Sequence, residues 1–355
     1  MKKENLFVRN LDADIYLESF LVAAVASVLI IRLFLRLTDY PQIGGGGLHI
    51  AHMLWGGALM LASIIILISF LNRVATLTAS VVGGIGFGAF IDEVGKFVTS
   101  DNNYFFRPAV SLIYIAFILI FLAMRAIHAR RIYSDEEYLA NALREMQEVA
   151  IHDLNEAERR RALLYLEKSD AANELTLALK HSLLAQTDLR PMRNTLSLSR
   201  LKKLIADFYT YVARFRWFTF GVIAFFIAQL IVKLIYVFIL IFFVGLRWSQ
   251  ILDWRIIGRI AAQMQELSFV DWADIAFWLL SGLFVLGGIT RIRRSRLFAY
   301  RMFERSILVS IFLSQVFAFY KEQFSALLGL VFNVAVLIAL RFMIEREKIQ
   351  ALKKS

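Results

Sequence analysis

The chain contains no cysteine. That excludes disulfides, thiolate metal sites and cysteine nucleophiles. Charge is also scarce: 19% of the 355 residues are Asp, Glu, Lys or Arg, against 59% hydrophobic, with a mean hydropathy of +0.62. A soluble domain of this length has too little interior to hide so much apolar surface. The apolar residues fall in blocks of membrane-spanning length, roughly 20 residues each. They cover residues 17–37, 48–71, 74–97, 108–127, 217–245, 271–290, 306–320 and 324–344, the seventh being short. The expected fold is all-α: a polytopic integral membrane protein of about eight transmembrane helices.

The start of the chain is charged and polar, and no small-residue cleavage site follows its first apolar run. That run is therefore expected to stay as a helix. The net charge of +11 is distributed for a membrane, not for nucleic acid. Lys2, Lys3 and Arg9 precede the first block. Arg125, Arg130 and Arg131 follow the fourth, and Arg291, Arg293, Arg294 and Arg296 follow the sixth. Arg346, Lys348, Lys353 and Lys354 close the chain. An even number of crossings separates these clusters, so all can face the cytoplasm, with both termini inside. Membrane lipids, with their anionic headgroups, are the expected partners, and nucleic acid is not.

Three regions follow: a membrane half over 1–127, a polar insert over 128–215, and a second membrane half over 216–355. The insert has one proline, Pro191, and no glycine. Ser134 with Glu137, and Asn155 with Glu158, have capping-box spacing. Leu139, Leu143 and Met146 make one predicted apolar stripe, and Leu175, Leu179 and Leu183 another. The insert reads as a cytosolic helical bundle that packs on the membrane part or docks a protein partner. Residues 247–268, with Trp248 and Trp254, read as an amphipathic helix in the outer interface.

The two halves match as a degenerate 4+4 tandem repeat. Leu29-Ile30-Ile31-Arg32-Leu33 resembles Leu230-Ile231-Val232-Lys233-Leu234. His49-Ile50-Ala51 resembles Asp274-Ile275-Ala276. In this register His52 corresponds to Phe277, Asp92 to Ser314 and Glu93 to Gln315, so one half would keep a polar site that the other has lost.

That polar site is the main functional signal. Ionisable side chains are costly in a bilayer and usually mark a site. His49 and His52 stand one turn apart at the start of the second block. Asp92, Glu93 and Lys96 end the third, followed by Asp101, Asn102, Asn103 and Arg107. With the N-terminus inside, all of these fall at the extracytoplasmic edge. Gly84, Gly88 and Asp92 share a helical face at steps of four, and a small-residue seam with Gly56-Gly57 is expected to bring the imidazoles to Asp92. Two imidazoles and a carboxylate can hold a divalent metal through His49, His52 and Asp92. They can equally act as base and orienter, or relay protons. HExxH is absent. Arg32, Arg107 and the run Gly44–Gly47 before the second helix suit an anionic ligand.

The segments YPQIGGGGLHIAHMLWGG and GGIGFGAFIDEVGKFVTSDNNYFFRP resemble a family of uncharacterised bacterial polytopic membrane proteins over the first four helices. A looser likeness is to VanZ-like membrane proteins. The resemblance implies a bacterial source and the cytoplasmic (inner) membrane, and it carries over no residue roles. Taken together, the residues point first to an enzyme at the extracytoplasmic leaflet acting on a phosphate-bearing or lipid-linked substrate. His49, His52, Asp92 and Glu93 would be its catalytic groups. Arg32, Lys96, Asp101, Asn102, Asn103 and Arg107 would hold the substrate. The alternatives are an ion- or proton-coupled transporter or channel, and a scaffold recruiting a partner through 128–215.

Overall fold

The structure is a computed structural model, and it describes residues 7–39, 51–101, 106, 108–128, 133–151, 154–186, 190, 207, 216–240 and 268–352. The described residues are helical throughout, with no β-strand. Six of their helical stretches are long and apolar enough to cross a membrane: Ala13–Leu37, His52–Ser69, Arg73–Asp92, Ala109–Ile127, Phe269–Arg291 and Arg296–Lys348. A shorter apolar run covers Trp217–Val232. The chain is a multi-pass membrane protein by the length and apolarity of these helices. The predicted interfacial helix at 247–268 lies outside the described residues, Ser268 excepted.

The chain divides into two compact units, one of Met1–Phe106 with Ala116–Leu198, the other of Arg107–Ile115 with Ser199–Ser355. In the first, α1 (Ala13–Leu37) and α2 (His52–Ser69) both pack on α3 (Arg73–Asp92). Small residues on α3 make this possible. A Cβ on Gly84 or Gly88 would collide with the backbone of Phe20 or Ala24 in α1, and one on Gly86 would sit 2.7 Å from the Gly56 carbonyl of α2. Hydroxyls tie the same contacts to backbone: Ser27 Oγ donates to the Ile85 carbonyl at 3.0 Å, and Ser63 Oγ to the Ala79 carbonyl at 2.7 Å. The outer face of α2 stays apolar and exposed at Leu61, Ile64, Ile65 and Ile68, as a lipid-facing helix requires.

This packing corrects the expected seam. Gly84 and Gly88 face α1, not α2, and a Cβ on Gly57 would meet nothing within 4 Å. At about 100° per residue, Gly86 lies roughly 200° round the helix from Gly84. Glycines on both faces of α3 let it sit between two partners.

Three helices of the insert belong to the same unit: α6 (Asp135–Ala150), α7 (Glu156–Lys168) and α8 (Glu174–Ala185), which follow α4 (Val94–Val98) and α5 (Ala109–His128). Both predicted capping boxes form. Ala142, Leu154, Ala162, Leu166 and Leu183 make the insert core, with Leu139, Met146 and Leu179 against it. Leu143 and Leu175 are exposed, so the predicted stripes are rotated: Ala142 fills the place expected of Leu143.

Helix α6 grips the start of the membrane helices. Asn141 pairs with backbone on both sides of its amide, accepting from Leu11 N–H at 2.9 Å and donating to the Arg9 carbonyl at 2.8 Å. Glu148 caps the first N–H of α3 at Arg73, at 3.2 Å. Glu145, buried, lies 3.5 Å from Arg73 and 3.3 Å from Arg161.

In the second unit, α9 (Arg216–Leu240) and α10 (Phe269–Arg291) precede a long interrupted hairpin. Its first limb is α11 (Arg296–Val309), a π turn at Ser310–Ser314 and α12 (Gln315–Glu322). The chain reverses at Gln323, whose φ is 52°, and returns as α13 (Leu327–Leu352). Phe303 and Ile307 share a core with Phe226, Val285 and Leu340. The Phe226 and Phe303 rings stack at 4.4 Å. Tyr114 Oη donates to the Ile311 carbonyl at 2.7 Å, inside the π turn. Ser111 Oγ donates to the Val316 carbonyl just past it, at 3.1 Å. Such turns loosen the backbone ladder and need outside partners of this kind.

Candidate functional site

The two faces of α3 also sort its terminal carboxylates. Asp92 continues the Gly84–Gly88 face and meets α1. Glu93, seven residues past Gly86, continues the other face and meets α2. Arg32, near the end of α1, donates from Nε to Asp92 Oδ1 at 2.5 Å and from Nη2 to the Asp92 backbone carbonyl at 3.0 Å. Glu93 Oε2 accepts from Met53 N–H at 3.2 Å, capping the first turn of α2. His52, the first residue of α2, stands between the two acids. Its Nε2 is 3.2 Å from Asp92 Oδ2 and its Nδ1 is 3.3 Å from Glu93 Oε1. Lys96 Nζ closes the cluster on Glu93 Oε1 at 2.6 Å.

Lys96 therefore pairs with Glu93 rather than with Asp92 four residues back. The reason is local: α3 stops at Asp92, and Glu93 is the joint before α4. The i+4 geometry of one continuous helix does not survive that joint.

The burial is asymmetric. The carboxylates are 0% and 1% exposed, whereas Arg32, His52 and Lys96 are 17%, 24% and 22% exposed. Each acid also has a donor besides His52: Asp92 accepts from Arg32, and Glu93 from Met53 N–H and Lys96. The arrangement pre-orients an Arg, a His and a Lys on the solvent side of two buried carboxylates, a set of donors that suits an anionic group.

Of the residues expected at the site, Arg32, His52, Asp92, Glu93 and Lys96 are brought together. Asp101 lies in an exposed turn beyond α4, and no described contact joins it to the cluster. His49, Asn102, Asn103 and Arg107 lie outside the described residues, as does the run 44–47. Among the described residues no group of three His, Asp or Glu side chains is arranged to hold a metal ion. The proposed ligand set His49, His52 and Asp92 is thus represented by two members, each bonded to the other.

Sequence reasoning placed Arg32 with a ligand and missed its direct hold on Asp92. The signal was partial: Arg32 stands one turn before Arg36 near the end of α1, and Asp92 ends α3. It also missed a polar cavity in the second unit, lined in part by Gln229, Asp271, Ser314 and Lys321. No protein-family model, curated protein or solved structure matches this chain.

Proposed function

We propose that this chain is an enzyme of a bacterial cytoplasmic membrane that acts at the extracytoplasmic leaflet on a phosphate-bearing or lipid-linked substrate. The observation that carries the reading is the asymmetry of the cluster, with Asp92 and Glu93 buried beneath an Arg, a His and a Lys that reach solvent. Arg32 and Lys96 hold the anion. His52, held by a carboxylate at each ring nitrogen, lines the anion site; water attacks the phosphoryl group as its bond to the leaving oxygen breaks, and the water's proton ends on that oxygen. The membrane around the site seats an acyl or prenyl tail.

The topology in this reading has about eight crossings, with both termini and the insert inside. It is supported by the placement of the insert within the first unit. Asp12 and Arg73, at the α6 end, are each about 20 residues along their helices from Arg32 and Asp92. At about 1.5 Å per residue that is about 30 Å, the thickness of the hydrocarbon core. If α6 is cytosolic, the cluster is extracytoplasmic. The 4+4 repeat is kept as part of this reading, with Phe277 and Ser314 as the counterparts of His52 and Asp92.

The test is the lipid that travels with the protein. Negative-ion mass spectrometry of lipids extracted from the purified protein should show enrichment in phosphate monoester or diphosphate lipids. The enrichment should be lost in the double variant His52→Gln, Lys96→Gln. A lipid profile identical between the two proteins contradicts the reading. Solute transport has one observation of its own, the polar cavity of the second unit.

A further inference from the structure

The second unit holds an open-mouthed cavity of about 390 Å³ between α9, α10, the α11–α12 limb and α13. This is within the range of small-molecule sites, and about a dozen times the volume of one water. A bare ion would not touch its walls on all sides. Its lining is polar where a membrane bundle should be apolar. Two of its atoms, Gln229 Oε1 and Ser314 Oγ, are buried with no hydrogen-bond partner among the described residues. A buried polar atom left unpaired costs about 1–3 kcal/mol, so such atoms in a membrane interior point to something that pairs with them.

The backbone is arranged around the same spot. Ser314 closes the π turn of Ser310–Ser314, a distortion that aims side chains away from the regular helical row and is common at binding sites. The charges of the lining are Asp271, Asp274 and Lys321. Lys321 Nζ lies 2.9 Å from Asp271 and 2.8 Å from Asp274, so two carboxylates share one ammonium and one negative charge remains. These three are 28–38% exposed and form the mouth, while the unpaired oxygens are buried deeper. Trp278 and Ile275 supply apolar wall.

We propose that this cavity binds a small organic cation carrying N–H donors, a primary ammonium on a short apolar chain. The excess carboxylate charge attracts the cation. Gln229 Oε1, which can only accept, and Ser314 Oγ take its N–H groups. Trp278 and Ile275 pack against its carbons, the indole adding attraction for the positive charge. An anion would meet net negative charge at the mouth and the acceptor Gln229 Oε1 inside.

The proposal does not depend on the Arg32–Asp92 cluster, and the experiment keeps the two apart. The full-length protein in lipid nanodiscs is titrated calorimetrically with n-butylammonium, tetramethylammonium and butyrate. Saturable binding of n-butylammonium is expected, with tetramethylammonium weaker because it has no N–H. Ser314→Ala and Gln229→Leu each remove one unpaired oxygen without stranding a partner, so both should melt like the parent protein. Each should weaken n-butylammonium binding about tenfold or more, as loss of one hydrogen bond to a charged group does. Lys96→Gln, in the first unit, should bind it unchanged. No saturable binding by the parent protein overturns the proposal. So does unchanged affinity in both folded variants, or a preference for butyrate.

Discussion

Arg32 holds Asp92 twice, by its side chain at 2.5 Å and by its backbone carbonyl at 3.0 Å. The second bond matters because Asp92 is the last residue of α3, where carbonyls lose their helical partners. One guanidinium thus ends a helix and neutralises a buried acid, and no ammonium has the fork to do both. Arg32→Ala should destabilise the protein by about 3–5 kcal/mol, the cost of stranding one member of a buried pair. Arg32→Lys should recover only part of that loss. Adding Asp92→Asn to Arg32→Ala should restore stability toward the parent value. Denaturant melts of the three variants in one detergent check this.

The glycines of α2 give a paired test. A Cβ at Gly56 would lie 2.6 Å from the Gly86 carbonyl and 2.7 Å from Phe90 N, whereas a Cβ at Gly57 would meet nothing within 4 Å. Gly56→Ala should therefore cost about 1–3 kcal/mol through forced separation of backbones. Gly57→Ala should be neutral, or stabilising by about 0.5–1 kcal/mol, because it removes unfolded-state freedom. Equal melting temperatures for the two variants would contradict the packing described.

The contact between α6 and the start of α3 should respond to pH in two directions. Burial lifts the Glu145 carboxyl from its ordinary 4.5 to about 7, against the pull of Arg161 and Arg73; Asp12 pushes in the same direction as burial. The folded state then binds a proton that the unfolded state has released, so stability from this group rises as pH falls from about 7 toward 4.5. Glu137 runs the other way. Its hydrogen bond from Arg9 holds it at about 2, so its contribution is complete above about 4.5 and lost as pH falls toward 2. Hydrogen exchange at the Arg9–Leu11 and Arg73 amides should be slowest between these limits. Glu145→Gln should flatten the upper limb and leave the lower one.

The absence of native cysteine allows a direct test of sidedness. Arg160→Cys, on α7, should resist an impermeant maleimide added to intact cells. Asp101→Cys, in the exposed turn beyond the cluster, should react. Labelling at position 160 from outside would reverse the topology and move the site to the cytoplasmic leaflet.

The all-helical class and most span positions were legible because long apolar runs leave the backbone few choices in a membrane. The capping boxes at Ser134 and Asn155 were legible because they are local. The meeting of His52 with Asp92 followed from cost: paired polar groups are the cheaper arrangement in hydrocarbon. Which face of α3 meets which neighbour was not legible, because Gly84, Gly86 and Gly88 offer small surfaces on both sides and only the packed structure decides between them. The Lys96 pairing was missed because the break at Glu93 has no proline, and Gly95 two residues on also fits a continuing helix. The cavity of the second unit was missed because Gln229, Asp271 and Ser314 are polar residues scattered over separate elements, and only the fold gathers them.

The central claim is that Arg32, His52 and Lys96 form an anion-binding platform held from below by Asp92 and Glu93. Its most direct test is calorimetric titration of the nanodisc-embedded protein with dodecyl phosphate, with dodecanol as the uncharged match. The account predicts saturable binding of the phosphate, little heat from the alcohol, and a loss of about tenfold or more in affinity in either Lys96→Gln or His52→Gln with the fold retained. Equal heats for the phosphate and the alcohol, or phosphate binding unaffected by both substitutions, would contradict it.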